Sequence, residues 1–99
     1  MMAENPLKAL EGWDPELVRL VKEAGRFALE DGALPKKFKL LIAMALDAAH
    51  GSVNGVRALA QEAMRAGATK GEIAEALRVA QYVSGVGSVY VAARALGEV

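Results

Sequence analysis

The residues best suited to chemistry lie in one short polar stretch near the middle of the chain. The stretch DAAHGSVNG contains Asp47, the single histidine His50, Ser52 and Asn54. Asp47 and His50 are three residues apart, so a helix would place both on one face. An aspartate that orients a histidine beside a serine can activate the serine hydroxyl as a nucleophile. This stretch is therefore the first candidate for a reactive site.

The same residues also have a structural interpretation, which we favour. His50 is expected at the end of a helix, where a positive charge is favourable. Ser52 is expected to cap the next helix, with Asn54 in its first turn. Ser52 lies only two residues beyond His50 and need not face it. On this interpretation the stretch joins two helices and carries no reaction.

A weaker functional interpretation uses the start of that second helix. The backbone amides of Val53 and Asn54 would be unpaired there and could hold a small anion such as a carboxylate. Tyr82 is the candidate to line the same pocket, although packing with a satisfied hydroxyl group is the commoner role of a tyrosine. The pocket candidates are therefore Ser52, Asn54 and Tyr82, with His50 as the one weak catalytic candidate.

Composition excludes several kinds of function. The 99 residues include no cysteine, which rules out disulfides, thiolate metal sites and thiol redox chemistry by this chain. Twelve basic and twelve acidic residues balance, whereas a nucleic-acid-binding surface needs a basic face. We therefore expect no metal, no cofactor and no nucleic-acid partner.

Hydrophobic residues make up 54% of the chain, which is more than one small domain can bury. The excess predicts a homo-oligomer, because exposed apolar surface usually marks a subunit contact. The longest uncharged run, residues 79–93, is shorter than the roughly 17–25 residues of a membrane span. The first residues, MMAENPLKAL, lack the pattern of a secretory signal. We expect a cytoplasmic protein that is not inserted in a membrane.

The elements that must position these residues are predicted to be helices throughout, because apolar residues recur at spacings of three and four. Thr69 and Glu72 fit a capping box at the start of one helix. Gly85 and Gly87 weaken the end of that helix by about 1 kcal/mol each, so that it kinks or breaks, or lets a neighbouring backbone come close. Start and stop signals place the helices at about residues 5–12, 14–32, 36–49, 52–67, 69–85 and 88–96.

From Leu34 to Leu96 the chain resembles the carboxymuconolactone decarboxylase and alkylhydroperoxidase D (AhpD)-like family. The most specific part is ALAQEAMRAGATKGEIAEALRVAQYVSGV. The resemblance implies a single all-α domain over residues 1–99, a compact AhpD-like bundle of about five to six helices. Its family-like core would span residues 34–96, with N-terminal helices at residues 5–31. It also implies an oligomer, a trimer or hexamer, with a paralogous subunit as a further option.

The thiol branch of this family carries a Glu, then Cys-x-x-Cys-x-x-x-His, and this chain departs from it at all four positions. The Glu position falls on Leu40, the cysteines on Ser52 and Gly55, and the histidine on Leu59. Without thiols this chain cannot perform disulfide-based peroxide reduction. The decarboxylase branch lacks the cysteine pair but tends to keep the histidine where Leu59 stands, so that reaction is in doubt as well.

Three functions remain open from the sequence. We favour a binding or assembly module that has lost the redox site. The runner-up is a decarboxylase-like enzyme acting on a small organic acid, with His50 or a group from a neighbouring subunit. The third is a structural oligomer, or one half of a complex with a catalytically complete paralogue. A lost site should be filled by Leu40 and Leu59 against Val53 and Val56, whereas an enzyme needs a polar cavity with His50 pointing into it.

Overall fold

The computed structural model describes residues 6–97, and every regular element in this range is a helix. A short 3₁₀ helix is followed by five α-helices, which confirms the predicted all-α fold. Asn5, predicted to open the first helix, lies outside the described residues. Within residues 6–97 no helix is both long and apolar enough to cross a membrane. The elements are the 3₁₀ helix Pro6–Leu10, α1 Pro15–Leu29, α2 Lys36–His50, α3 Val53–Arg65, α4 Lys70–Ser84 and α5 Gly87–Leu96.

The chain divides into two compact units, Met1–Glu30 and Asp31–Val99. In the first unit α1 begins where the Asp14 carboxylate accepts a hydrogen bond from the Leu17 amide at 3.0 Å. The helix ends at Leu29, three residues before its predicted end at Gly32, because Glu30 adopts an extended backbone. The prediction of one single domain stays a prediction.

In the second unit α2 lies at the centre and packs against α3, α4 and α5. Its LLIAMALDAA segment is buried at Leu41, Met44 and Ala48, whereas Ile42 and Leu46 are exposed. Leu40, Met44 and Val56 are the largest fully buried side chains. Most of the remaining core is alanine, whose small side chain lets helix axes approach closely. These alanines are Ala48, Ala60, Ala63, Ala68, Ala80, Ala92 and Ala95.

Two glycines with positive φ decide where helices stop. Gly51 ends α2 with a φ of 87°, a left-handed conformation that only glycine adopts without strain. Gly85 has a φ of 91° and separates α4 from α5. Of the alternatives left open by the sequence, the helix therefore ends near these glycines and a new helix begins after them. The buried Ser88 hydroxyl donates to the Gly85 carbonyl at 2.8 Å and fixes this break.

Candidate functional site

The joint between α2 and α3 is held by local hydrogen bonds. The Ser52 amide donates to the Asp47 carbonyl at 2.9 Å, across the left-handed turn at Gly51. The Ser52 hydroxyl then accepts from the Gly55 amide at 3.3 Å, as a residue that caps a helix does. The Ser52 side chain is therefore already engaged with the backbone of α3.

The Asp47 carboxylate lies directly over the first turn of α3. A methyl group on Gly55 would overlap the Asp47 Oδ2 atom, and it would lie only 2.7 Å from the Ser52 Oγ atom. The carboxylate thus occupies the space that any side chain at position 55 would need. A negative charge is also favourable there, because the free amides at a helix start carry partial positive charge. Asp47 and Ser52 are therefore brought together, and both face Gly55.

The other polar residues of the joint point to separate partners. His50 is exposed at the last position of α2, and it makes no hydrogen bond or ion pair with any described residue. Asn54 is exposed in the first turn of α3, where its side-chain oxygen accepts from the Arg57 guanidinium at 3.0 Å. Among the described residues, no hydrogen bond links Asp47 to His50 or His50 to Ser52, although a relay between them would need both.

The positions of the family motif are occupied without a proton carrier. Leu40 is buried, with 2% of its surface exposed, and Leu59 is half-buried. Val56, on the helix against which α2 packs, is fully buried. Ser52 is exposed and Gly55 is half-buried beneath Asp47. The position that the resemblance assigns to the acid of the thiol branch therefore holds a leucine packed in the core.

Tyr82, the aromatic pocket candidate, lies on the outer surface of α4 with 87% of its surface exposed. It is not among the residues that line the cavity described below. The roles assigned to His50, Ser52, Asn54 and Tyr82 stay predictions. No group of three or more His, Cys, Asp or Glu side chains in residues 6–97 is arranged to hold a metal ion.

A cavity of about 300 Å³ lies between α3, α4 and α5. Five of its six lining residues are apolar, and the sixth is a lysine: Met64, Lys70, Ile73, Ala74, Leu77 and Leu96. The sequence did not predict this cavity, because its lining residues come from three separate helices. The available signal was the spacing of Lys70, Ile73 and Leu77, which places a cation at the head of an apolar helix face.

The start of α4 beside this cavity carries the predicted capping box. The Glu72 amide donates to the Thr69 hydroxyl at 3.1 Å, and the Thr69 amide donates to the Glu72 carboxylate at 2.9 Å. Lys37, from the start of α2, pairs with the same carboxylate at 3.0 Å. The Thr69 amide, and after it the Lys37 ammonium, lowers the pKa of Glu72 from its ordinary value of 4.5. Lys70 forms no ion pair with any residue in the described range.

Comparisons with known proteins agree with this architecture. The sequence profile of the carboxymuconolactone decarboxylase family matches residues 15–98. The crystal structure of an apo carboxymuconolactone decarboxylase family protein from Legionella pneumophila matches with a TM-score of 0.86 and 36% identity, over 92% of this chain and 81% of that one. Among curated proteins, no match was found. The fold places the chain among small all-α proteins. The match to the family profile and to the Legionella structure shows that the chain belongs to the carboxymuconolactone decarboxylase family.

Proposed function

We propose that this protein is a binding or assembly module of its family, without thiol peroxidase activity. The observation that carries the proposal is the burial of Leu40, which has 2% of its surface exposed at the position of the family's acid. The cysteine positions hold Ser52, whose hydroxyl caps α3, and Gly55, which has no room for a side chain. The residues around the former centre therefore stabilise the joint between two helices.

Two exposed apolar stripes in the second unit support an assembly role. The α2 stripe consists of Phe38, Ile42 and Leu46, at a spacing of four residues, with 43–54% of each side chain exposed. The α4 stripe consists of Val79, Tyr82 and Val83 of α4 together with Val86, two residues beyond the end of this helix, with 59–87% exposed. Large exposed apolar patches mark subunit contacts more often than they mark free surface.

The size of these stripes suits a second copy of the chain. A standard interface covers about 800 Å² on each partner, and one aromatic side chain alone supplies about 150–250 Å². The seven apolar residues of the two stripes are 43–87% exposed, and together they offer an area of the same order as one side of such an interface. Two stripes on one chain also suit a closed ring, in which each copy meets its two neighbours through different faces. We therefore propose a homo-oligomer, a trimer or a hexamer.

The assembly is tested by light scattering coupled to size-exclusion chromatography. We expect the wild-type protein to elute at three or six times its chain mass of 10.4 kDa. Tyr82→Glu places a charge in the α4 stripe and should yield monomers. Gln81→Glu adds the same charge at an exposed position of α4 that lies away from the stripe around the helix, and it serves as the matched control. A wild-type protein that stays monomeric at high concentration contradicts the assembly role.

The absence of peroxidase activity is tested by following hydrogen peroxide with a dithiol reductant present. We expect consumption no faster than in a protein-free control, because the chain has no thiol to oxidise. The same preparation is assayed for release of carbon dioxide from small organic acids. Turnover that is abolished in His50→Ala would overturn the proposal in favour of the decarboxylase-like enzyme.

A further inference from the structure

The cavity between α3, α4 and α5 has the dimensions of a small-ligand site. Its volume of about 300 Å³ is at the lower end of the range of roughly 300–1,000 Å³ for ligand pockets. It is about twice the apolar cavity of roughly 150 Å³ that binds benzene in an engineered lysozyme. Half-buried Met64 and Leu77 form part of the wall, and the flexible Met64 side chain can adjust to an alkyl chain.

The charge at this cavity indicates which ligand fits. Lys70 is the only charged residue among the described residues that line it, and it is exposed at the first position of α4. The neighbouring Lys37 is neutralised by Glu72 at 3.0 Å, whereas Lys70 has no ion pair within residues 6–97. Glu72 itself is held by the Thr69 amide at 2.9 Å in the capping box. An apolar wall with one unneutralised cation complements a molecule with an alkyl body and a single negative charge.

We propose that this cavity binds an aliphatic monocarboxylate. The alkyl chain lies against Met64, Ile73, Leu77 and Leu96, and the carboxylate lies at the Lys70 ammonium. The site shares no residue with the joint between α2 and α3, so it is independent of the function proposed above. It assigns a ligand class to a part of the molecule that the family motif does not include.

The proposal predicts a dependence of affinity on chain length. Each buried methylene strengthens binding about fourfold, which corresponds to roughly 0.8 kcal/mol per methylene. The gain should appear from butanoate to hexanoate to octanoate and should stop once the cavity is filled. The matching alcohol, 1-octanol, fills the same space without a charge, so it should bind more weakly than octanoate.

The experiment is a titration of the full chain, carrying ¹³C-labelled methyl groups, with octanoate below its micelle-forming concentration. We expect the largest NMR shifts at Met64, Ile73, Leu77 and Leu96. Lys70→Met should weaken octanoate binding about fivefold and leave 1-octanol binding unchanged, while Lys70→Arg should retain the affinity. Lys22→Met, which removes the same charge from α1, is the matched control and should behave as the wild type.

A second variant tests the cavity without removing a core side chain. Ala74 is exposed at the cavity wall, and Ala74→Leu adds a side chain that fills the space while keeping a good helix former. This variant should lose both octanoate and 1-octanol binding. Shifts spread over other methyl groups, or equal octanoate affinity in wild type and Lys70→Met, would overturn the proposal. Shifts at the four methyl residues that depend on protein concentration alone would assign the cavity to a second copy and overturn it as well.

Discussion

The starts of α3 and α4 each have a capping hydroxyl and a nearby carboxylate, but the space around the first turn is filled at α3 and open at α4. At α3, Ser52 caps the helix and the Asp47 carboxylate lies on Gly55, so polar side chains fill the space around the first turn. At α4, Thr69 and Glu72 satisfy each other. A methyl group added to the next glycine, Gly71, would have only the Thr69 hydroxyl within 4 Å, at 3.7 Å. One start is crowded, and the other leaves room beside it.

This difference teaches where recognition remains possible in the fold. At the start of α3 the Ser52 hydroxyl accepts from the Gly55 amide, and Leu40, on which the resemblance places the family's acid, is buried. At α4 the capping box leaves Lys70 without a partner in the described range, next to an apolar cavity. On this comparison, the start of α4 is the place where we propose that a ligand binds.

The largest expected loss of stability comes from placing a carboxylate at position 40 of α2. Leu40→Glu should lower the free energy of unfolding by at least about 3 kcal/mol, because a carboxylate would be buried without a partner. Leu40→Met keeps the volume and should lose less than about 1.5 kcal/mol. Urea denaturation at pH 7 measures both. A Leu40→Glu protein as stable as Leu40→Met would mean that water or an ionisable group reaches this position.

The next effect compares the two caps. Thr69→Ala should lower the free energy of unfolding by about 1–2 kcal/mol and Ser52→Ala by about 0.5–1 kcal/mol. The Thr69 cap is reciprocal, and its hydroxyl accepts from the Glu72 amide at 3.1 Å. The Ser52 side chain makes a single hydrogen bond, in which its hydroxyl accepts from the Gly55 amide at 3.3 Å. Thr69→Ser and Ser52→Thr keep a hydroxyl and serve as controls in thermal unfolding. Equal losses for the two alanine variants would show that the α3 start is as well ordered as the α4 start.

Alanine substitutions at Gly71 and Gly55 should change the free energy of unfolding by amounts similar to or smaller than the cap variants do, but in different ways at the two helix starts. Gly71→Ala should raise the free energy of unfolding by up to about 1 kcal/mol, the usual gain of alanine over glycine in a helix. Gly55→Ala should not gain this amount, because Asp47 must move away. In an Asp47→Ala background, Gly55→Ala should recover part of the gain, because the Ser52 Oγ atom still lies 2.7 Å from the added methyl group. A full gain from Gly55→Ala alone would refute the close approach of the carboxylate.

The smallest effect is the pH dependence of the α4 start. The pKa of Glu72 is lowered in the folded protein, so its ionised form adds stability above about pH 4.5, and this contribution is lost as the pH falls through the lowered pKa. Glu72→Gln should therefore melt below the wild type at pH 7, with a difference that vanishes in acid. Glu75→Gln, on the same helix, is the control. A difference that does not shrink as the pH falls would attribute the effect of Glu72 to packing.

Much of the fold was predictable from local signals. The Ser52 cap and the Thr69–Glu72 capping box lie where the sequence placed them. These signals act within three or four residues, so the chain carries them without tertiary context. The family resemblance was predictable for the same reason, since it depends on the order of these elements. The absence of cysteine then excluded thiol chemistry directly.

The sequence by itself determined which helices form and which reaction is chemically impossible for this chain. Only the tertiary structure decided that the Asp47 carboxylate lies on Gly55, and that Met64, Lys70 and Leu96 meet at one cavity. The physical reason is that capping and helix periodicity are local. The space left between helices depends on how α3, α4 and α5 pack, and no residue spacing within one helix specifies that.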